Sequence, residues 1–356
     1  MTAAAGAIVL ELLTFGIGSD PFSHFGHAAI CVREPERDRC FNFGTADFST
    51  PVPLTLGFLR GQADFWVSVV DRKRTLDWYA SEDRTIESQA LTSLTATEAR
   101  DLAALLEASA APDVRFYRYN HFADNCTTRI RDLLDRATQG RLRAATFDRP
   151  SGRSFRDYVE QGFADDLLLL MLSQVMVGRA VDRPATTWEA LFLPAELRDA
   201  VERVYGAEPV ALFRSSHHQT PLGFPRGSLA ILGLGVLGAL LVSMSARTKR
   251  PRLGAAIALA CPILLGLLID AVAAYSIQPE LRVNEALLVL SPLDVLALHR
   301  GAGGLAWRRF RLGMLGLLLI LKASGVLLQP LWAPIAALAL VLLSLEVSWR
   351  AFAKSE

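Results

Sequence analysis

Past Pro225 the chain becomes a succession of long apolar runs, and no other feature constrains its folding so tightly. Gly227 to Met244, Leu253 to Ile269, Leu312 to Ile320 continuing past Lys322 to Leu328, and Leu331 to Leu345 are each about long enough to cross a bilayer core as a helix. Such a crossing takes ~17–25 residues. A further run, Val283 to Leu298, lies third in chain order and carries Asn284, Glu285, Pro292 and Asp294. It reads as a short span, a broken span or a re-entrant hairpin. Soluble cores rarely stack so many apolar runs in sequence. The C-terminal part is therefore predicted to be an α-helical transmembrane bundle of about five spans.

Charge separates the two parts of the 356-residue chain. Residues 226–356 hold 13 Lys/Arg against 6 Asp/Glu, a net of +7, while the first 225 hold 24 against 30, a net of −6. Basic residues cluster at Arg247, Lys249, Arg250 and Arg252, at Arg300, Arg308, Arg309 and Arg311, and at Arg350 with Lys354. With five crossings all three clusters fall on one side, which the positive-inside rule makes cytoplasmic. Residues 1–225 then lie outside, in the periplasm if the membrane is a bacterial inner membrane. Met1 to Gly6 has no basic n-region, and the apolar stretch before Asp20 is short and contains Glu11. An export signal is therefore expected upstream of Met1. Within the membrane part, Asp270, Glu285 and Lys322 are costly polar groups, best explained by an Asp270–Lys322 pair inside the bundle. The functional alternative is that they line the entry of a lipid headgroup.

The first part reads as α+β. Ile8 to Phe15, Phe25 to Val32, Cys40 to Gly44, Phe65 to Val70 and Val114 to Tyr119 are strand candidates, and the charged turn Arg33 to Arg39 makes a hairpin of the second and third. Gly16 to Pro21 is a turn. Thr95 with Glu98 forms a capping box before a helix. Cys126 to Ala137 is a second helix, and amphipathic helices follow over Phe155 to Val175 and Trp188 to Tyr205. The expected organisation is a thiol-enzyme domain over 1–150, a helical extension over 151–225 and the membrane domain over 226–356.

Cys126 is the candidate nucleophile. Asp124 or Asn125 can cap the helix that it opens, and the helix N-terminus is expected to lower its pKa and to supply oxyanion donors. It shares a helix face with Ile130, Leu133 and Leu134, so a buried core cysteine is the plain alternative. A nucleophilic cysteine needs an imidazole and a group that orients it. His27, mid-strand in Phe25-Gly26-His27-Ala28-Ala29, has small neighbours that leave room for close approach; His24 and His121 are its competitors. If the hairpin pairs Cys31 with Cys40, His27 faces Gly44 and Asn42 lies diagonally from it on the same face. Asp47 is the runner-up to Asn42 as orienting group. The same register permits a Cys31–Cys40 disulfide or two separate thiols. The cysteines and histidines lack metal-site spacing.

Leu13-Thr14-Phe15-Gly16 through Asp20, then Phe25-Gly26-His27-Ala28, Phe41-Asn42-Phe43-Gly44-Thr45 and Asp124-Asn125-Cys126-Thr127-Thr128 resemble the periplasmic domain of the Lnb-type bacterial lipoprotein N-acyltransferases. Asp182-Arg183-Pro184, Phe192-Leu193-Pro194 and Asn284 to Val295 also look like that family. The domain is similar to circularly permuted papain-like thiol enzymes of the NlpC kind, with an antiparallel sheet. The resemblance implies a Cys–His acyltransferase that takes an acyl chain from a phospholipid onto Cys126 as a thioester. It then passes the chain to the N-terminal amine of a diacylglyceryl lipoprotein. The expected partners are phospholipid, lipoprotein and the bilayer; no cofactor, metal or nucleic acid is expected. Two rival readings are a membrane-tethered peptidoglycan amidase or endopeptidase using the same dyad on water, and a non-catalytic membrane scaffold in which Cys126 and His27 only pack.

Overall fold

The computed structural model describes residues 8–20, 23–216, 225–248 and 250–353. The expectations for Met1 to Gly6, Pro21, Lys249 and Lys354 fall outside those residues. The chain divides into two compact units, Met1–Tyr158 with Pro184–Thr220, and Val159–Arg183 with Pro221–Glu356. The segment expected as a helical extension thus divides between them.

The first unit is built on strands β1 (Val9–Phe15), β2 (His27–Glu34), β3 (Arg37–Thr45), β4 (Asp64–Asp71), β5 (Ile86–Ala90) and β6 (Phe116–Arg118), with β7 (Pro150–Ser154), β8 (Pro184–Thr186) and β9 (Val210–Phe213) later in the chain. Seven of them form one sheet in the order β6-β4-β3-β2-β1-β5-β9, antiparallel throughout, and β7 pairs with β8 apart from it. Period-two alternation decides the faces. Leu10, Leu12, Ala28, Ile30, Phe41 and Phe43 point to one face, where helices α3 (Ala96–Ser109) and α4 (Cys126–Ala137) bring Leu102, Leu106, Ile130 and Leu134. Leu13, Phe15, Ala29, Cys31, Cys40 and Ile86 point to the other, covered by Leu76 and Tyr79 of the helix Arg72–Ser81. The short helix Pro51–Arg60, the helix Arg72–Ser81 and strands β5 and β9 are elements that the sequence patterns did not announce.

Glu11, the charge inside the first apolar stretch, is satisfied within this sheet. It is buried, accepts two bonds from Arg72 at 2.6 and 2.7 Å, and accepts a third from Ser88. Burial raises its pKa, but the Arg72 and Ser88 hydrogen bonds outweigh that and hold the carboxyl below its ordinary value.

In the second unit, helices Arg226–Arg247 and Pro251–Tyr275 run antiparallel, with Gly254 against Ser245 and Gly238 against Ala258. Helix Trp332–Ala353 runs parallel to the first: Gly235 meets Ala337 and Gly238 meets Val341. Helix Ala302–Ala323 runs antiparallel to it, since Arg308 near its start pairs with Glu346 near the other's end. Arg247 and Arg350 therefore lie at the same end of this unit, as does the start of Ala302–Ala323. Three stretches, Arg226–Arg247, Arg252–Tyr275 and Trp332–Arg350, are long and apolar enough to cross a membrane. Their outward faces carry Leu237, Leu240, Ile257, Leu264 and Val347 in the open.

The third expected span is not a helix. Residues 285–288 and 292–298 are two short 3-10 turns, started by the side chains of Asn284 and Ser291. Pro292 and the polar residues around it break the ladder that a continuous helix would need. The backbone freed by this is packed inside the unit, with Leu290 against Gly266. The Asp270–Lys322 pair is also absent: Asp270 is exposed, and the Lys322 ammonium donates to the carbonyls of Leu327 and Leu328 beyond its own helix. A cation at a helix C-terminus is favoured there by the helix dipole. Glu285 accepts from the Leu328 and Gln329 amides and pairs with Arg179 at 3.1 Å. The buried ion pairs are instead Arg311 with Asp294 and Arg308 with Glu346.

Arg72→Ala leaves Glu11 charged and buried without its cation, which typically costs about 3 kcal/mol. The urea midpoint of the full chain should fall at neutral pH. The Glu11 carboxyl titrates below its unfolded value, so its contribution is present above about pH 4.3 and is lost as the pH falls through the lower folded value. The variant and wild type should therefore converge in acid; a constant gap down to acid pH would refute this assignment.

Candidate active site

The β2–β3 ladder carries Cys31 opposite Cys40 and Ile30 opposite Phe41, and it goes no further toward His27. Cys31 and Cys40 are joined as a disulfide, so the two open alternatives resolve to the bonded one. Beyond Phe41, β3 shifts register against β4 between Asn42 and Thr45, and Gly44 takes φ 82°. Only glycine adopts that conformation without penalty. A Cβ on Gly44 would stand 3.3 Å from the Cβ of Cys126. The gap between the parted strands is where the head of α4 enters.

Asn125 is the N-cap of α4, and not Asp124. Its side chain accepts from the Thr127 and Thr128 amides at 2.9 Å, while Thr128 returns a bond to the Asn125 amide. Its own amide group donates to the carbonyls of His121 and Phe192, which ties the cap to two neighbouring segments. Asp124 is paired with Arg129 at 2.6 Å. With Thr127 and Thr128 taken by the cap, the Cys126 amide is left as a first-turn donor.

The Thr127 hydroxyl lies 3.6 Å from the Cys126 sulfur, and the Ala28 N–H is close enough to favour its anion. Ala28 follows His27 directly, so the sulfur lies beside the strand that carries the imidazole. Asn42 pulls the His27 pKa upward through a side-chain interaction, and Nε2 of His27 is buried and without a partner. Asn42 donates through Nδ2 to the Cys40 carbonyl at 3.3 Å, which leaves its Oδ1 to accept. His27, Asn42, Gly44 and Cys126 all line one cleft of about 1260 Å³.

The remaining candidates are placed elsewhere. Asp47 is exposed and accepts from Ser49 and Thr50, starting the turn into the helix Pro51–Arg60. His24 is buried outside the lining of the cleft. His121 sits in an aromatic cage of Phe25, Phe122 and Phe192, and burial lowers its pKa to about 4. Sequence reasoning missed Tyr79, whose ring stacks 5.6 Å from that of His27, and Arg84, whose guanidinium carbon lies 4.8 Å from the Tyr79 ring. Both come from an unremarked charged stretch whose local pattern signals nothing. Among the described residues no group of three His, Cys, Asp or Glu side chains is placed to hold a metal.

Electrostatically the site departs from the expected thiolate. Burial raises the Cys126 thiol above its ordinary value, against opposing contributions from Thr127, Ala28 and Arg84. Burial and the nearby charge of Arg84 push His27 down to about 3, against the smaller pull of Asn42. The helix dipole is real but small beside the cost of desolvating an anion. The resting site therefore holds a neutral thiol and a neutral imidazole.

Comparison with known proteins enters here. Residues 2–161 match the family model of the Lnb N-terminal periplasmic domain. Residues 2–161, somewhat under half of the chain, are thus similar to that domain, in agreement with the motifs around His27 and Cys126. No curated protein and no solved structure matches the chain. That similarity and the apolar helices support a membrane-anchored protein with a periplasmic N-terminal domain.

In a Cys261→Ser background, which removes the exposed thiol, alkylation of Cys126 by iodoacetamide should rise about tenfold per pH unit from pH 6 to 9 without a plateau. The thiolate is the reactive form, and its pKa lies above 9.0. A flat rate between pH 5 and 8 would reveal a preformed ion pair and contradict the neutral site.

Proposed function

We propose that this protein is a lipoprotein N-acyltransferase in which Cys126 is the nucleophile, His27 the general acid–base and Asn42 the group that orients His27. The observation that supports the reading is that Cys126, Asn42 and His27, whose Nε2 is buried and without a partner, line one cleft. In the first half-reaction His27 Nε2 takes the thiol proton as the sulfur attacks the ester carbonyl of a phospholipid. The tetrahedral oxyanion receives the Cys126 amide. Its collapse expels the lysophospholipid oxygen, which takes the proton from His27, and leaves a thioester. In the second half-reaction the α-amine of a diacylglyceryl-cysteine N-terminus attacks the thioester, loses a proton to His27, and the sulfur leaves and is reprotonated.

A neutral resting pair suits this chemistry. A buried thiol that ionises only as it attacks is protected from adventitious oxidation, and a desolvated thioester is kept from water until the amine arrives. The antiparallel sheet with a cysteine-headed helix against a histidine-bearing strand is similar to the permuted papain-like arrangement.

The second unit is read as a multi-pass anchor in the inner membrane. Arg247, Arg350 and the start of Ala302–Ala323 share one end, as the positive-inside rule asks of a cytoplasmic face. The segment 276–301, broken into short helical turns, then makes the third crossing, and its irregular backbone is tolerated at that depth where it is packed against protein. Anchoring keeps the enzyme on the membrane that contains both lipid substrates.

In cells lacking their own lipoprotein N-acyltransferase, expression of the wild type should convert lipoprotein N-termini from the free amine to the amide, read by mass spectrometry. Cys126→Ala and His27→Ala should abolish the conversion, while Asn42→Ala should lower it by about 10–100-fold. Free amines in the presence of wild type, or amides in the presence of Cys126→Ala, would overturn the reading.

A further inference from the structure

Arg84 is a buried cation that no carboxylate among the described residues meets in an ion pair. It is 9 % exposed, and its Nε donates to the Gly16 carbonyl at 2.8 Å. Nη2 is buried without a hydrogen-bond partner. The Asp20 carboxylate, whose charge reaches Arg84, accepts from Ser23. An unsatisfied guanidinium nitrogen is costly to bury, and each such group in a folded protein calls for an explanation. Arg84 lines the cleft that contains Cys126 and His27, and its charge is felt at both. Tyr79 touches both sides of this arrangement, with its ring 5.6 Å from His27 and 4.8 Å from the guanidinium carbon.

We propose that Arg84 binds the phosphodiester of the acyl donor, so that the cleft selects an ester carrying a phosphate on the same small backbone. This rests on the acyl-transfer reading above. The rest of the cleft favours such an amphiphile. Phe48, Leu54, Phe65, Val70 and Trp78 line it, and Phe48 and Trp78 are 52 % and 61 % exposed. An acyl chain covers those walls, whereas inorganic phosphate leaves them bare. A free fatty acid carries its charge on the carbon that the sulfur must attack, so guanidinium and nucleophile would compete for one group. A glycerophospholipid separates the two by a few bonds. The planar fork of Arg matches two phosphate oxygens at once, which a lysine cannot do.

The test uses the full chain with Cys261→Ser, two donors and the rate at which Cys126 becomes acylated. One donor is phosphatidylglycerol in mixed micelles, and the other is a neutral p-nitrophenyl acyl ester of the same chain length. Arg84→Met should lower the phospholipid rate relative to the neutral-ester rate by about tenfold or more, a ratio in which the effect of its charge on Cys126 and His27 cancels. Inorganic phosphate should slow neither reaction of the wild type at millimolar concentration; strong inhibition of the phospholipid reaction by it would mark a free-anion site and overturn the lipid assignment. An unchanged ratio in Arg84→Met would overturn the proposal. If Arg84→Met loses both reactions, Arg84→Lys decides: recovery of the neutral-ester rate alone supports phosphate binding, and recovery of neither assigns Arg84 to the fold. A wild type that takes acyl groups from the neutral ester and never from phospholipid would instead remove the donor reading on which the proposal stands.

Discussion

The site depends on one local failure of strand pairing. β2 and β3 are paired at Cys31–Cys40 and Ile30–Phe41 and then part, because β3 shifts register between Asn42 and Thr45 around a glycine with positive φ. An unpaired strand edge inside a protein leaves backbone donors that must find other partners. Here the Ala28 N–H acts on the Cys126 sulfur, favouring its anion, and the missing side chain of Gly44 gives the head of α4 its place. The disulfide holds the two strands together immediately before they separate. His27 and Asn42 thus sit on the face covered by the helix Arg72–Ser81, while the nucleophile arrives from the helix on the other face.

Burial then sets the chemistry. A helix N-terminus beside a cysteine favours the thiolate, yet Cys126 is desolvated on every side and its thiol is raised. His27 is held neutral by the same desolvation and by Arg84. The two groups are thus neutral together at rest, without a standing ion pair to stabilise. The opening to solvent is lined by aromatic and aliphatic side chains, so a substrate that fills it strengthens each of these interactions.

Much of the sheet was legible because its strands are short alternating runs bounded by turn residues. Helix α4 was legible to its ends, from the Asn125 cap to Ala137, as was the capping box at Thr95. The Cys31–Cys40 register was one assumed pairing for the hairpin across Arg33 to Arg39; the ladder adopts it, and it puts Asn42 on the same face as His27. The helix Arg72–Ser81 was not legible, since its face against the sheet is narrow and its sequence mostly charged; with it went Tyr79 and Arg84. The thiol's raised pKa was beyond reach for another reason: local sequence reports a helix dipole but not the enclosure that outweighs it. In the membrane unit, composition revealed apolar length, while the break at 283–298 came from Asn284, Ser291 and Pro292 acting together. The partners of Arg308 and Arg311, Glu346 and Asp294, lie on other segments of the chain and leave no periodic signal.

The central claim is that the sulfur at the head of α4 carries the acyl group between lipid and amine. It is tested most directly by purifying the full chain from membranes without acceptor lipoprotein and mapping covalent adducts by peptide mass spectrometry. The account predicts one fatty-acyl mass on the peptide containing Cys126, removed by neutral hydroxylamine as a thioester must be. An unmodified Cys126 peptide from protein incubated with phospholipid, or an acyl group found only on Cys261, would contradict it.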